Sequence, residues 1–435
     1  MMPAQNQLPD AILYIPGLEG QSLDDAALRI ASALDISSST AAAEFPLEAG
    51  QDEDYVSEGN SLKTRVRTIR RTEPGKEPQK IVDVYEFSYI DSLVKTHIES
   101  NVFVKGLRLL IQLVMNTPRL VGAFFGKKQK TILEKVQYIV AILILSLLVV
   151  YLGLLFIAVY DTVREIPQIE AMMSQPSTSP GTATEGSDNT AQTGRDQQQG
   201  KGSNLTIFQL VGITIATIEV FYPNLKKSFT DASVRYTSLV EYLSLGARNQ
   251  VLGGQLLALI DHIAAKGYRH IHIVAYSFGT IIALDNLFPS ERMPVKRIRE
   301  IHTLATIGCP FDLIRVFWPD YFTERVVVAN VPKLWINVYS PIDVMASNFR
   351  SDSKNAEPQL ENAIPSKNDT SVKLVPRMSM PWNTGRPKRT LSFFELLALV
   401  GLEAHRSYWE NAFESGNTAF SLIIAEIYEN DYPLA

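Results

Sequence analysis

The stretch that decides the fold runs from Ile273 to Asp285 and reads Ile-Val-Ala-Tyr-Ser-Phe-Gly-Thr-Ile-Ile-Ala-Leu-Asp. Its first four residues are typical of a buried strand, and the apolar residues after Ser277 have helical spacing. A serine on such a tight strand-to-helix turn holds its hydroxyl above the end of the strand. The close crossing of strand and helix needs small side chains two positions before and after the serine, where Ala275 and Gly279 stand. The pattern therefore predicts a nucleophilic serine at position 277.

A serine hydroxyl becomes a good nucleophile only beside a base that takes its proton. Two histidines, His302 and His405, follow Ser277 in the sequence. His302 opens an apolar run and is expected at the start of a strand, at the opposite end of the sheet from the serine. His405 comes after every recognisable strand, so it is the better candidate for the base.

Two aspartates are candidates for the acid that orients this base. Residues 333–340 have the composition of a strand, and Asp343 follows them after a Pro-Ile turn. Asp343 is therefore expected at the carboxyl end of that strand. Asp312, which follows the apolar run ending at Ile307, is the alternative.

A further strand is predicted near the amino terminus, at residues 11–15. The loop Pro16-Gly17-Leu18-Glu19-Gly20 follows it. Glycines let a backbone approach a ligand closely. The N–H groups of Gly17 or Leu18, together with that of Phe278, are therefore candidates to bind negative charge that develops on a carbonyl oxygen. An ordinary Pro-Gly turn is the alternative interpretation.

Taken together, these residues resemble the α/β-hydrolase superfamily, specifically its lipase and esterase branch, over residues 8–92 and about 236–430. The resemblance implies a mostly parallel sheet flanked by helices and the chain order serine, acid, histidine. It favours Asp343 over Asp312, because an acid after the penultimate strand is the commoner placement in that fold. The implied site consists of the nucleophile Ser277, the acid Asp343, the base His405 and the oxyanion-hole donors Phe278, Gly17 and Leu18.

The sequence departs from the family pattern in two places. Ala275 stands where glycine is usual and adds one methyl group to the crossing. No clear strand immediately precedes His405, since residues 391–403 look helical and the last predicted strand is 372–378. The resemblance therefore specifies the reaction chemistry better than the substrate.

An insertion separates the two halves of this pattern. Residues 136–160 carry no charged side chain and are predicted to form a first transmembrane helix, because about 20 apolar residues suffice to cross a bilayer as a helix. Residues 174–204 are rich in Ser, Thr, Gly, Gln and Asp and are expected to form a disordered polar loop. Residues 205–222, with Glu219 as the only charge, are predicted as a second span, because only an even number of crossings keeps both halves of one sheet in one compartment.

The orientation of these spans follows from the positions of lysine and arginine. Basic residues collect at 119–135, before the first span, and at 226–235, after the second. The positive-inside rule then predicts a cytoplasmic catalytic domain, with loop 161–204 outside. Residues 102–128 mix apolar and basic side chains around Pro118. They suit either amphipathic helices in the headgroup plane or a cap packed over the site.

The composition gives no indication of disulfides, a nucleic-acid partner, a metal or a cofactor. A single cysteine, Cys309, provides no disulfide framework, and a net charge of −5 gives no reason to expect a nucleic-acid partner. The sequence contains no metal or phosphate signature. His270 and His272 alternate at a spacing that can bind zinc, but we interpret them as residues at a strand start without a ligand role. No metal or cofactor is expected.

The sequence thus predicts an α/β protein with the α/β-hydrolase fold, interrupted by a helical membrane insertion. Residues 1–100 and 236–435 would form the hydrolase domain, and residues 101–235 the insertion. The expected activity is hydrolysis of ester bonds in lipid or other acylated substrates through an acyl-enzyme, with the lipid bilayer as a partner. The alternative is a membrane signalling or scaffold protein that uses a hydrolase-like domain to bind a partner.

Overall fold

The chain forms a sheet with helices on both faces. The computed structural model describes residues 8–18, 22–38, 43–90, 92–93, 238–244, 247–290, 296–318, 320–323, 325–328, 331–340, 343, 345–349, 373–378, 405, 407–409 and 418–429, with a few isolated positions between 115 and 153.

Eight strands make up the sheet. In chain order they are β1 (Asp10–Ile15), β2 (Gln51–Ser57), β3 (Asn60–Arg71), β4 (Gln79–Glu86), β5 (Ile271–Tyr276), β6 (Ile301–Ile307), β7 (Leu334–Tyr339) and β8 (Lys373–Met378). Their order across the sheet is β2-β3-β4-β1-β5-β6-β7-β8. The pairs β2–β3 and β3–β4 are antiparallel, and every other pair is parallel. Strand β5, which leads to Ser277, therefore lies inside a continuous parallel region.

The described helices pack against this sheet. They are α1 (Leu23–Ser37), α2 (Ala247–Ala264), α3 (Phe278–Leu287), α4 (Phe311–Phe317) and α5 (Ala419–Ile424), with 3-10 turns at Lys296–Glu300 and Ser407–Trp409 and a π-helical turn at Ala425–Glu429. Ser22 caps α1, because its hydroxyl accepts a hydrogen bond from the Asp25 N–H.

The alternation of side chains along β1 shows why helices must cover both faces. Ala11, Leu13 and Ile15 belong to one buried cluster, which includes side chains of α2 and α3. Ile12 and Tyr14 belong to the other, which includes side chains of α1 and α5. Successive residues of a strand point to opposite faces, so a strand with apolar residues on both sides is stable only between two covered faces.

An ion pair between a buried aspartate and a partly buried arginine holds the amino-terminal ends of two strands together. Asp10, the first residue of β1, accepts hydrogen bonds from Arg269 Nε at 3.0 Å and Nη2 at 2.6 Å. Arg269 lies just before β5, and its N–H also donates to the Pro9 carbonyl. Burial by itself raises the pKa of Asp10, but the donors of His270, His272 and Arg269 outweigh it and hold that pKa below its ordinary value. The carboxylate is thus ionised and paired.

Much of the predicted framework is present. The α/β class and the mostly parallel sheet are confirmed, as are strands close to the predicted 11–15, 333–340 and 372–378. The predicted segments 102–128, 136–160, 174–204 and 205–222 lie almost entirely outside the described residues. Among the residues that the structure does describe, no helix combines the length and the apolar character needed to cross a bilayer.

Helix α3 begins in direct contact with the end of β1. A Cβ atom on Gly279 would lie 2.4 Å from the carbonyl oxygen of Pro16 and 2.5 Å from that of Ile15. These are backbone atoms, which cannot rotate away as the end of a side chain can. The crossing therefore leaves no room for a side chain at position 279.

We predict that Gly279→Ala lowers the free energy of unfolding by about 1–3 kcal/mol, because strand and helix must separate to admit the methyl group. Gly254→Ala in α2 is the matched control. Its Cβ would meet only the Glu58 carboxylate at 3.4 Å, and alanine favours a helix over glycine by up to about 1 kcal/mol. Thermal or urea unfolding of both purified variants measures the difference. Equal stability of the two would contradict the close crossing.

Candidate active site

Four loops meet at the carboxyl edge of the parallel strands. Gly17 follows β1, Ser277 follows β5, Gly308 follows β6 and Asp343 follows β7. In open α/β sheets, ligands bind outside this edge. The sequence-predicted residues of the site are thus on the same side of the sheet.

Ser277 has a backbone conformation that is rare for a residue with a side chain. Its φ is 51° and its ψ is −123°, and such strain persists only where the surrounding structure enforces it. The Ser277 N–H donates to the Ile307 carbonyl at 2.8 Å, which ties the turn to the end of β6. The next residue, Phe278, already belongs to α3. The predicted strand–serine–helix turn is therefore present.

The side chains of Ser277, His405 and Asp343 form a hydrogen-bonded series. Ser277 Oγ lies 2.7 Å from His405 Nε2, and His405 Nδ1 lies 2.7 Å from Asp343 Oδ2. Asp343 is fully buried and His405 is only 2% exposed. An ionised carboxylate can only accept hydrogen bonds, so Nδ1 carries the proton and Nε2 presents its lone pair to the serine hydroxyl. This arrangement can take a proton from Ser277.

Asp343 is held by two further donors. Its Oδ1 accepts the Met345 N–H at 2.8 Å, and its Oδ2 also accepts the Tyr408 hydroxyl at 3.0 Å. Together with His405, these donors surround a carboxylate that has no contact with solvent. Donors of this kind offset the cost of burying the charge.

His405 is fixed by an aromatic neighbour, Tyr276, the last residue of β5. The Tyr276 hydroxyl donates to the His405 carbonyl at 2.7 Å. The two rings stack with centroids 5.4 Å apart, and Tyr276 also packs edge-on against Trp409. The residue before the serine thus holds both the backbone and the ring of the histidine.

The two alternative candidates lie away from this series. Asp312 is in the first turn of α4, with a half-exposed side chain 4.0 Å from Arg315. His302 is the second residue of β6, and its ring lies 4.5 Å from that of His270, at the amino edge of the sheet. Burial lowers the pKa of His302 to about 4. Asp343 and His405 are the pair that the fold brings to Ser277.

The loop after β1 approaches the serine closely. A Cβ atom on Gly17 would lie 2.9 Å from Ser277 Cβ and 2.8 Å from Tyr276 Cδ1, so only glycine fits there. The Tyr89 hydroxyl donates to the Pro16 carbonyl at 2.8 Å and fixes this loop. Leu18 packs against the cluster that contains Phe278. Phe278 opens α3, and the first N–H groups of a helix have no acceptor within it.

A second potential nucleophile, Cys309, follows Gly308 at the same edge. It is completely buried, and burial raises the pKa of its thiol to about 12. A cysteine attacks as its thiolate, and this thiol stays protonated near neutral pH. The environment therefore favours Ser277 over Cys309 as the reactive group.

Among the residues that the structure describes, the side chains of Asp10, His270 and His272 form a group that could hold a metal ion. Their potential ligand atoms lie within 4.8 Å of one another. Both oxygens of Asp10, however, accept hydrogen bonds from Arg269. The positive guanidinium competes with a cation for this carboxylate, and the cluster lies at the sheet edge opposite Ser277.

Sequence reasoning missed Tyr276 and Tyr408, the residues that hold His405 and Asp343. The spacing of Tyr408, three residues after His405, was the one available signal. It carries little information without the fold, because tyrosines near histidines are common.

No protein-family model matches the sequence, and no curated protein or solved structure matches the chain. The functional interpretation therefore depends on the geometry of the residues at the carboxyl edge.

Proposed function

We propose that this chain is a serine hydrolase of the α/β-hydrolase fold that cleaves ester bonds in lipid or other acylated substrates. The observation that carries the proposal is the hydrogen-bonded series from Ser277 through His405 to Asp343, with both links at 2.7 Å. The strained backbone of Ser277 supports it independently, because such strain at a serine is typical of a nucleophile elbow.

The proposed reaction has two stages. In the first, His405 Nε2 takes the proton of Ser277 while Oγ attacks the ester carbonyl, and the imidazolium then gives this proton to the leaving alkoxide. A covalent acyl-serine results. In the second stage, His405 takes a proton from water, the hydroxide attacks the acyl-serine, and the proton returns to Ser277 Oγ as the carboxylic acid leaves.

Asp343 and the backbone N–H groups stabilise the charges that appear along this path. Asp343 holds the tautomer of His405 and stabilises the imidazolium. The N–H of Phe278, with that of Gly17 or Leu18, would donate to the oxyanion of the tetrahedral intermediate. The close approach of Gly17 to Ser277 supports this role, because it brings the loop after β1 beside the reacting oxygen.

The side chain of Phe278 is buried among aromatic residues. The Phe278 ring packs edge-on against Tyr242 at 5.2 Å and lies 6.3 Å from the ring of Tyr89. All three side chains belong to the same buried cluster as Leu93. This packing holds Phe278, whose N–H is a proposed oxyanion donor, at the start of α3.

We also propose that two membrane spans, residues 136–160 and 205–222, anchor the enzyme with its catalytic domain in the cytoplasm. The uncharged stretch 136–160 and the basic clusters on the same side of both segments support this placement. Strands β1 to β4 precede the first segment and β5 to β8 follow the second, and all lie in one sheet. Two crossings keep them in one compartment.

Replacing the nucleophile tests the activity. Ser277→Ala should lower ester turnover by several orders of magnitude, because the remaining oxyanion hole and binding supply only about 10³ to 10⁴ over water. A fluorophosphonate probe should label the wild-type chain and leave Ser277→Ala unlabelled. Ser244→Ala is the control, since it removes a hydroxyl that bonds only within its own helical segment, and it should behave as wild type.

Wild-type turnover in Ser277→Ala would refute the assignment. An unlabelled wild-type chain would favour the scaffold alternative.

Exchange of the acid tests the orientation of the base. Asp343→Asn should lower kcat by roughly 10³ to 10⁴, because asparagine does not hold the productive tautomer of His405. Asp312→Asn is the matched control and should change kcat little, since its side chain points to solvent near Arg315. Steady-state kinetics on a soluble ester measures both. A large loss in Asp312→Asn with a small one in Asp343→Asn would reverse the assignment.

Cysteine labelling tests the membrane topology. In a chain with Cys309→Ala, Ser187→Cys should react with a membrane-impermeant maleimide in intact cells, because loop 161–204 is placed outside. Ser353→Cys should react only after permeabilisation. Labelling of both positions from outside would invert the orientation. Labelling of neither in intact cells would mean that the insertion does not cross the bilayer.

A further inference from the structure

We propose that Tyr408 is a positioning residue of the hydrolase, which acts by aiming the carboxylate of Asp343 at His405. This inference rests on the proposed function of Ser277, His405 and Asp343. The role follows from the two hydrogen bonds of the Tyr408 hydroxyl, one with Ser340 and one with Asp343.

The direction of the Tyr408 hydroxyl is set by its two partners. The backbone N–H of Ser340 donates to the Tyr408 oxygen at 2.7 Å. An N–H cannot accept, so the hydroxyl proton is left for Asp343 Oδ2 at 3.0 Å. Tyr408 is thus a donor to the acid and is held in that role by the end of β7.

The same carboxylate oxygen serves both neighbours. Asp343 Oδ2 accepts the bond from His405 Nδ1 as well as that from Tyr408. Oδ1 is occupied by the Met345 N–H. Rotation of the carboxylate about its side chain would break all three bonds at once, so Tyr408 fixes the oxygen on which the imidazole depends.

The position of the Tyr408 ring leaves it little freedom. Gly308 has a φ of 58°, and a Cβ atom there would lie 2.8 Å from Tyr408 Cε2 and 3.0 Å from His405 Cε1. The glycine therefore allows the end of β6 to contact both rings. On another side, Tyr408 packs edge-on against Tyr276 at 6.3 Å. Burial raises the pKa of Tyr408 well above its ordinary value, so the hydroxyl keeps the proton that it donates.

Tyr408 also links the segment of His405 to the loop that carries the acid. His405 and Tyr408 are three residues apart, and Tyr408 bonds both to Ser340 and to Asp343 of the loop after β7. The tyrosine thereby connects the segment of the base to the loop of the acid. Such a link fixes the distance between them more directly than the packing of either segment alone.

A double-mutant cycle tests this role. Tyr408→Phe should lower kcat/KM, and the second-order rate of fluorophosphonate labelling, by about 10- to 100-fold, as expected for loss of a hydrogen bond to a charged group. In an Asp343→Asn background the same substitution should change the labelling rate by less than about 2-fold, because the group on which it acts is gone. Rates are expressed per reactive serine by active-site titration, so partial unfolding does not imitate a loss.

The pH profile gives a second readout that a purely structural role would not move. Without the tyrosine donor, the negative charge of the Asp343 carboxylate is offset less by hydrogen bonding. It therefore stabilises the imidazolium form of His405 more strongly. The acid limb of kcat/KM should therefore move to higher pH in Tyr408→Phe. Tyr428→Phe, which alters a buried tyrosine 6.4 Å from His272 at the opposite edge of the sheet, is the control and should keep the wild-type rate and profile.

The outcomes separate this inference from the proposed function. A wild-type chain that neither hydrolyses esters nor reacts with the probe would overturn both. An active wild type with an unchanged rate in Tyr408→Phe would overturn the inference alone. A 10- to 100-fold loss that persists in the Asp343→Asn background would do the same, because Tyr408 would then act independently of the acid.

Discussion

Helix α3 leaves the sheet at Ser277 within contact distance of the end of β1, and this close crossing sets the geometry of the site. Gly279 has no space for a side chain against the carbonyls of Ile15 and Pro16. The serine backbone must therefore turn sharply, into a conformation with a φ of 51°. The same contact brings Gly17 beside the serine. One steric constraint thus positions both Ser277, the proposed nucleophile, and the loop proposed to bind the oxyanion.

This part of the structure could be read from the sequence because its causes are local. The small residues Ala275 and Gly279 flank Ser277 at fixed offsets, and an apolar strand precedes them. Strands β1 and β7 are equally predictable, since a strand covered on both faces is mostly apolar. The order serine, acid, histidine then limited the partners to a few residues. Asp343 and Asp312 both follow strands, and the resemblance alone favoured Asp343. The distance of 2.7 Å between Asp343 Oδ2 and His405 Nδ1 shows which aspartate reaches the histidine.

The support of the base could not be read from the sequence because it depends on contacts between distant segments. Tyr276 is 129 positions from His405 in the sequence, and its hydroxyl donates a hydrogen bond to the His405 carbonyl. Tyr408 is likewise remote in sequence from Ser340 and Asp343. Aromatic side chains of this kind appear in the sequence as ordinary core residues. Their hydroxyl groups acquire a direction only when the fold supplies a donor on one side and an acceptor on the other.

The burial that stabilises the sheet also disfavours Cys309 as a nucleophile and supports the proposal of Ser277. Cys309 lies at the carboxyl edge, but attack by sulfur requires a thiolate, and burial raises the pKa of this thiol to about 12. Ser277 needs no prior ionisation, since His405 can take its proton as the new bond forms. A buried site therefore disfavours a nucleophile that must carry charge in its resting state and favours one whose charge develops only during the reaction. In the proposed hydrolase, that charge appears where Asp343 and the backbone N–H groups are already placed to stabilise it.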